Sequence, residues 1–569
     1  MIIMEKSGMG KKIVLMNENG KIKSTFYSAI IFMLVMMVMI WPLLKSGCIH
    51  GHDVLYHLLR TESLKTSIQM GDPFVKINTL FFNNAGYASS LFYPDFMLYF
   101  PAVLRVSGFG IAASYKLFLI LCIALSYASA YYCAKLITKS RYSAVVTSIV
   151  FTLSQYFIHD IYIRGAVGEI TAFIFIPFLM FGIYDLYYDN FQKPWIMAVG
   201  FIGVMLCHTI TLMICLFLYM IVFVVHIKTF VVKPELLKKL ILTATVVLLL
   251  TAFYWAPVIE QMLSNKFVYS IPWVFVGENA VKAWSIVSAK FPGMGFIVFM
   301  LFFPRLSIRK TKENEKLLKF SDECMALGVF FALSATRLVP WDILENYINF
   351  LQFPWRLYIA ASACLAVSVG ILFKLYFESR KSKSFGLILV ICAMITSAMM
   401  SLASSDIKYD FYNEDYFKTI SNTATVGAGE WLPLAAKNTS GVLASSNIVK
   451  ADTGQYLSFN RKDNAILVES SFDGIKYFDV PFIYYKGYSA VLTNNGNEML
   501  SLKVTGNGEN GFCRVELPQY AEGVVLVKYE GTFVQKSSYI ISILTFLIAL
   551  GFCSYKTIKS QKRSRLYSG

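Results

Sequence analysis

Through residue 405 the chain alternates long apolar runs with short, mostly basic polar stretches, and beyond it a period-two alternation takes over. The runs Phe26–Leu44, Ile111–Ala134, Tyr142–Phe157, Ile170–Tyr188, Leu240–Leu263, Phe291–Pro304, Cys324–Thr336, Leu357–Phe377, Phe385–Ala403 and Ser538–Tyr555 carry few charges. Several approach or exceed the roughly 20 residues that an α-helix needs to cross a bilayer. Trp195–His226 is too long for one span and has Lys193 and Lys228 at its ends, so it predicts a short hairpin of two. Phe92–Gly108 is apolar but broken by Pro94 and Pro101 and carries Asp95 and Arg105, which predicts a partial insertion. Together these runs predict a polytopic all-α membrane region of about twelve helices.

Between residues 406 and 534 the pattern is that of strands. Ile466–Ser470, Tyr488–Thr493, Leu500–Thr505, Phe512–Leu517 and Val524–Tyr529 alternate, separated by turn signals such as Asn494-Asn495-Gly496 and Gly506-Asn507-Gly508. A small β-sandwich between two helices is the expectation. The divisions are therefore a leader over 1–25, a membrane region over 26–405 with a loop at 45–110, the β-rich segment 406–534, and a last helix with a basic tail over 535–569.

The formal charge of +17 changes this picture only by orienting it. Lys6, Lys11, Lys12, Lys21 and Lys23, the stretch Arg305–Lys319, and the tail with Lys556, Lys559, Lys562, Arg563 and Arg565 sit where topology signals belong. Both termini are expected on the cytoplasmic side, and a nucleic-acid partner is not expected. The 45–110 loop and the β-rich segment are expected outside. The 10 cysteines fall mostly inside apolar runs and form no CxxC pair, which supports neither a disulfide framework nor a thiolate zinc site.

Candidate chemistry gathers in the opening loop, GCIHGHDVLYHLLRTESLK, where His50, His52 and His57 make up half of the chain's 6 histidines. On a helix from Asp53, the residues Asp53, His57 and Arg60 share a stripe opposite Leu55, Leu58 and Leu59, as in a helix lying flat on a membrane. The simpler reading makes Asp53 an N-cap and the histidines solvated loop residues. By the expected topology, His159, His208, Asp95, Asp160, Glu169, Glu260, Arg164 and Arg356 also reach the same outer face, and ionisable groups collected at one interface are candidates for a site.

The motifs Gly51-His52-Asp53 with His57 and Arg60, Tyr93-Pro94, Phe100-Pro101, Arg164-Gly165-Ala166-Val167-Gly168-Glu169, Gln352-Phe353-Pro354-Trp355-Arg356, Gly429-Glu430-Trp431-Leu432-Pro433 and Tyr484-Tyr485-Lys486-Gly487-Tyr488 follow one another along the chain. Their order resembles the GT-C superfamily of integral membrane glycosyltransferases, and within it the bacterial YfhO-like membrane proteins and the relatives called 6-pyruvoyl-tetrahydropterin synthase-related. The resemblance implies a bacterial plasma-membrane enzyme that moves a sugar from a polyprenyl-phosphate carrier to a cell-envelope glycan, teichoic-acid-like or protein acceptor on the outer face, among membrane lipids. A pterin-synthase reaction finds no soluble zinc site to support it. For the transfer, Asp53 is the candidate base, with His57 or Glu169 orienting the acceptor. Arg356, Arg60, Arg164, Lys116 and His52 are the candidates for binding substrate, the guanidinium fork being suited to phosphate. Beyond these, no cofactor is implied; the spacing of His52, Asp53 and His57 leaves a divalent metal ion open, although it is not a standard zinc pattern. A lipid or sugar transporter, and a membrane scaffold with an external binding domain, are the other classes considered.

Overall fold

The computed structural model describes residues 25–566 apart from 272–273, 414–415, 418–428 and 495–497. The leader lysines and part of the Asn494-Asn495-Gly496 turn lie outside the described residues.

The first helix, α1 (Thr25–Leu44), is followed by α2 (Val54–Gln69), α3 (Ile111–Thr138), α4 (Arg141–Thr152), α5 (Gln155–His159), which continues as a π-helical turn over Asp160–Arg164, and α6 (Val167–Ala172). Further along come α7 (Trp341–Ile348), α8 (Tyr358–Phe377), entered through a 3₁₀ turn at Pro354–Leu357, α9 (Lys383–Ser404) and α10 (Phe533–Leu566). Among the described residues, 5 helices are long and apolar enough to cross a membrane, namely α1, α3, Pro354–Phe377, α9 and Phe533–Phe552. Counting two bent pairs as single spans makes 7. These helices make the chain an integral membrane protein, with fewer full-length crossings than the twelve or so expected from hydropathy.

The difference has local causes. Ser154, in extended conformation, splits α4 from α5 with a 42° bend. Thr251 and an internal proline, Pro257, accompany a 73° bend between Pro234–Leu250 and Ala252–Ser264. Pro194–Met205, Thr209–Val225 and Ile297–Ser307 are apolar but shorter than a span, and so is Phe96–Val106, in the segment expected to insert only partly.

Pro354–Phe377 is the axis of the helical region, 94% of its apolar window being buried against 17% for Phe533–Phe552. Small residues, among them Ala360, Ala361, Ala363, Ala366 and Gly370, let neighbouring helices approach it closely. Arg356 stands at its first turn, where Pro354 pre-sets the helical backbone.

A two-stranded antiparallel ribbon, β1 (Cys48–Ile49) with β2 (Tyr409–Asp410), ties the chain after α1 to the chain after α9. The C-terminal region then folds into two five-stranded antiparallel sheets. One has the order β10 (Val504–Thr505), β11 (Phe512–Glu516), β7 (Tyr477–Ile483), β3 (Val449–Ala451), β4 (Tyr456–Leu457). The other has the order β5 (Phe459–Lys462), β6 (Ala465–Ser471), β12 (Glu522–Tyr529), β8 (Tyr488–Thr493), β9 (Met499–Leu502). Alternate residues of β6, β8 and β12 point inward, and Phe482 of one sheet stacks on Tyr488 of the other at 5.4 Å between ring centroids. Tyr488 is therefore a core residue.

The sheets are fastened to the loop after α2. Ile483 N–H donates to the Ala85 carbonyl at 2.8 Å, Arg461 to the Asn84 carbonyl at 2.8 Å, and Asn464 to Asp72 at 3.1 Å. Residues 72 and 464 consequently share one side of any membrane. Single cysteines placed in a cysteine-free background at the exposed positions Asp72 and Thr453 should both label with an impermeant thiol reagent in intact cells, whereas one at Ser307 should not. Labelling at Ser307 would invert the expected topology.

Candidate active site

Asp53 immediately precedes α2, and the backbone there is held by the α5 segment. Its N–H donates to the Arg164 carbonyl at 2.8 Å, and the N–H of His52 donates to the Ile163 carbonyl at 3.2 Å. Gly165 makes this docking possible: its φ is +64°, and a Cβ there would lie 2.2 Å from the Val54 side chain. Two stretches more than a hundred residues apart are thus clamped together, which places Asp53 beside Arg164. Although Asp53 occupies the N-cap position of α2, its side chain makes no capping hydrogen bond. Asp53 is thus the N-cap by position, its carbonyl accepting the His57 N–H at 3.2 Å, without the side-chain bond that the N-cap reading calls for.

Arg164 and Arg356 converge on Glu169. Arg164 Nη1 donates to Glu169 Oε1 at 2.8 Å and to Asp160 Oδ1 at 2.7 Å, and Arg356 Nε donates to Glu169 Oε1 at 3.1 Å. The Tyr156 hydroxyl donates to Glu169 Oε2 at 2.5 Å and lies 3.3 Å from Arg164 Nη1. Arg356 Nη1 is taken by the Leu351 carbonyl at 3.0 Å and by Gln352 Oε1 at 2.8 Å. Two guanidiniums therefore balance two carboxylates in a nearly dry cluster, the pairing that buried charges require. Arg356 Nη2 and Arg164 Nη2 and Nε have no partner among the described residues.

Tyr93 and His208 enclose the cluster. A Cβ on Gly168 would lie 2.3 Å from the Tyr93 hydroxyl and 2.7 Å from His208 Cδ2, so only glycine fits between them. His208 Nδ1 caps the helix at Thr209–Val225 by accepting the Thr211 N–H at 3.3 Å. From the β region comes Glu430. Burial raises its carboxyl pKa, while Arg356 and a hydrogen bond from Gln352 lower it. The neighbouring Trp431 stacks on Phe92 at 4.6 Å between ring centroids, and its N–H donates to the Tyr87 hydroxyl at 3.0 Å.

Other residues marked in the sequence stand elsewhere. Helix α2 does not lie flat with a polar stripe to water, because His57, Arg60 and Glu62 are buried along with Leu58 and Leu59. Arg60 is fully buried and pairs with Asp95 at 2.5 Å, donating as well to the carbonyls of Tyr93 (3.0 Å) and Pro94 (2.9 Å) while lying over the Tyr93 ring. It holds the loop after α2 rather than offering a free fork. His57 faces Arg60 at 3.3 Å, and burial together with that cation holds its imidazole pKa well below the ordinary range, so the ring is neutral and wedged between Tyr56 and Tyr93. Both oxygens of Glu169 are engaged within the cluster, Oε1 by the two arginines and Oε2 by Tyr156. Lys116 donates to the Lys45 carbonyl, and His52 is exposed at the rim, edge-on to Phe291. Among the described residues no group of three His, Cys, Asp or Glu side chains is placed to hold a metal, so His52, Asp53 and His57 do not assemble into one.

Tyr156 does not stand out in the sequence as a site residue, and His208 stands there only as one of the ionisable groups expected at the outer face, with no role of its own. Tyr156, Asp160 and Arg164 recur every four residues, a spacing that could have marked Tyr156.

The Arg60–Asp95 pair makes a prediction separate from the cluster. Asp95→Ala should destabilise the protein by about 3–5 kcal/mol, because it strands a buried guanidinium. A melting curve unchanged in detergent would mean that Arg60 is free to serve a ligand.

Fold and site define a multi-pass membrane protein whose buried charged cluster is joined to a C-terminal β-sheet region. No protein-family model matches the chain. A protein of Lactococcus lactis subsp. cremoris (strain MG1363), known only as an uncharacterized protein, is 22% identical over 630 residues, covering 99% of both chains. Among solved structures, the chain is similar to the Archaeoglobus fulgidus oligosaccharyltransferase in complex with Zn and sulfate, at 12% identity and a TM-score of 0.37, covering 68% of this chain and 54% of that one. It is also similar to the arabinofuranosyltransferase AftD from mycobacteria, at 9% identity and a TM-score of 0.43, covering 89% of this chain and 40% of that one. The chain thus spans about half, or less, of the length of these enzymes.

Proposed function

We propose that this chain is a membrane glycosyltransferase that moves a sugar from a polyprenyl-phosphate carrier to a cell-envelope acceptor on the outer face of a bacterial plasma membrane. The observation that carries the reading is the setting of Asp53: a carboxylate with no cap bond and, among the described residues, no ion pair, held by backbone hydrogen bonds to the α5 segment next to the cluster of Arg164, Glu169 and Arg356. In such a transfer the acceptor oxygen bonds to the anomeric carbon, the bond from that carbon to the phosphate oxygen breaks, and the phosphate leaves on its lipid. The leaving group carries the developing negative charge, which suits Arg164 Nη2 and Arg356 Nη2. The acceptor's proton passes to Asp53. Glu169 acts through the arginines, fixing both guanidiniums, so its role is positioning.

Glu430 and Trp431 bring the β region against this cluster, which supports a role for that region in presenting the acceptor. A transporter would also place polar groups on broken helices, as Asp160 and Arg164 stand here beyond the bend at Ser154, so cleavage of the donor bond is what separates the two readings. The test is purified protein in nanodiscs with a panel of polyprenyl-phosphate sugars and envelope fractions. Sugar-dependent release of polyprenyl phosphate is expected. Movement of intact lipid-linked sugar between leaflets without bond cleavage would replace this reading with transport.

A further inference from the structure

Helix α7 is amphipathic in an unusual orientation. Asp342, Glu345, Asn346 and Asn349 line one face, and Ile343, Leu344, Tyr347 and Phe350 the other. In a water-soluble protein the apolar face would turn inward. Here the contact with the protein runs through Glu345, whose Oε1 accepts the Val276 N–H at 2.8 Å and Oε2 the Gly277 N–H at 3.5 Å, while Asp342 and Asn346 stay exposed. The apolar face is bare, with Ile343 74%, Tyr347 82% and Phe350 52% exposed, and Leu338 just before the helix 67%. After the short turn that follows it, the helix leads into Pro354–Phe377, which is long and apolar enough to cross a membrane, so α7 stands at the level where that span begins.

The segment ends in strain. After the short turn Asn349–Leu351, Gln352 adopts φ +61° and ψ −51°, a conformation suited to glycine. Its side chain holds Arg356 Nη1 at 2.8 Å, and Leu351, at 6% exposure, supplies a second acceptor to the same nitrogen. Strain of this kind persists only where the surroundings over-determine it. Packing inside the protein anchors the Arg356 side of the joint, and the other side is α7.

We propose that α7 is a membrane-surface strap: its apolar face seats in the headgroup and upper acyl region of the adjacent leaflet, and that seating holds the Gln352 joint and the Arg356 guanidinium in place. The partner is the lipid surface itself, and the inference does not depend on the transferase reading.

The test uses the full chain in phosphatidylcholine nanodiscs, with a bimane label on Tyr347→Cys in a cysteine-free background. Phosphatidylcholine brominated near the top of the acyl chain should quench the label several-fold more than aqueous iodide does; the reverse order would overturn the seating. Ile343→Asp should move the label toward iodide and speed deuterium exchange over residues 349–357 by about tenfold, as expected for local release. Unchanged exchange with an unseated label would overturn the coupling to Arg356. Asn346→Asp on the polar face should change neither, and an effect equal to that of Ile343→Asp would also count against the proposal. Should Ile343→Asp fail to fold, wild-type protein moved from nanodiscs into amphipol should show the same faster exchange over 349–357, and equal exchange in both would overturn the coupling.

Discussion

Asp53→Asn should lower sugar transfer by about 10²-fold or more, the range for loss of a general base, while leaving melting temperature and membrane insertion unchanged. Asparagine matches aspartate in shape and is about as good an N-cap. The substitution is expected to be structurally silent for a further reason: the Asp53 side chain makes no cap bond, and the docking of this stretch runs through the backbone N–H groups of His52 and Asp53. Activity and stability should therefore separate. A fall in both would assign Asp53 to the architecture. Unchanged transfer would remove it from the chemistry.

Glu169 should show the opposite signature. Both of its oxygens are engaged, by Arg164 and Arg356 on one side and by Tyr156 on the other, at 1% exposure. Glu169→Ala leaves two buried guanidiniums with Asp160 as their remaining carboxylate, and breaking a buried pair in this way costs about 3–5 kcal/mol. Stability and transfer should fall together, as measured by melting in detergent and by polyprenyl phosphate release. Glu169→Gln keeps the shape and loses the charge. It should recover part of the stability but little of the transfer, because the arginines are no longer held in register. A Glu169→Gln enzyme with full activity would show that the carboxylate does not position them.

Much of the site was legible because ionisable side chains are costly in an apolar chain and therefore stand out. Asp53, Arg164, Glu169 and Arg356 were all visible on that ground, and the structure brings them together. Their pairings were not visible. Whether Arg60 faces a ligand or Asp95 depends on a contact across 35 positions, and no local pattern reports it. The reading of α2 as a surface helix failed for the same reason: its stripe of Asp53, His57 and Arg60 is regular, but the loop that covers it, running to Asp95 and Arg105, is remote in sequence. Hydropathy found the apolar runs but not the breaks at Ser154 and Thr251, where unremarkable residues adopt non-helical backbone. In the β region, β6, β8 and β12 alternate clearly, whereas β4 and β10 are each 2 residues long and below any periodicity. Glu430 stands in the sequence only as part of the Gly429–Pro433 motif, and its approach to Arg356 comes only with the fold.

The most direct measurement is a cryo-electron microscopy structure of the wild-type protein in nanodiscs with a polyprenyl-phosphate sugar bound. The account predicts a phosphate within hydrogen-bond distance, about 3 Å, of Arg164 Nη2 and Arg356 Nη2, with Asp53 facing the anomeric carbon from the acceptor side. A phosphate seated instead at Lys116 or at the basic stretch Arg305–Lys319, with no ligand contact at either arginine, would contradict it.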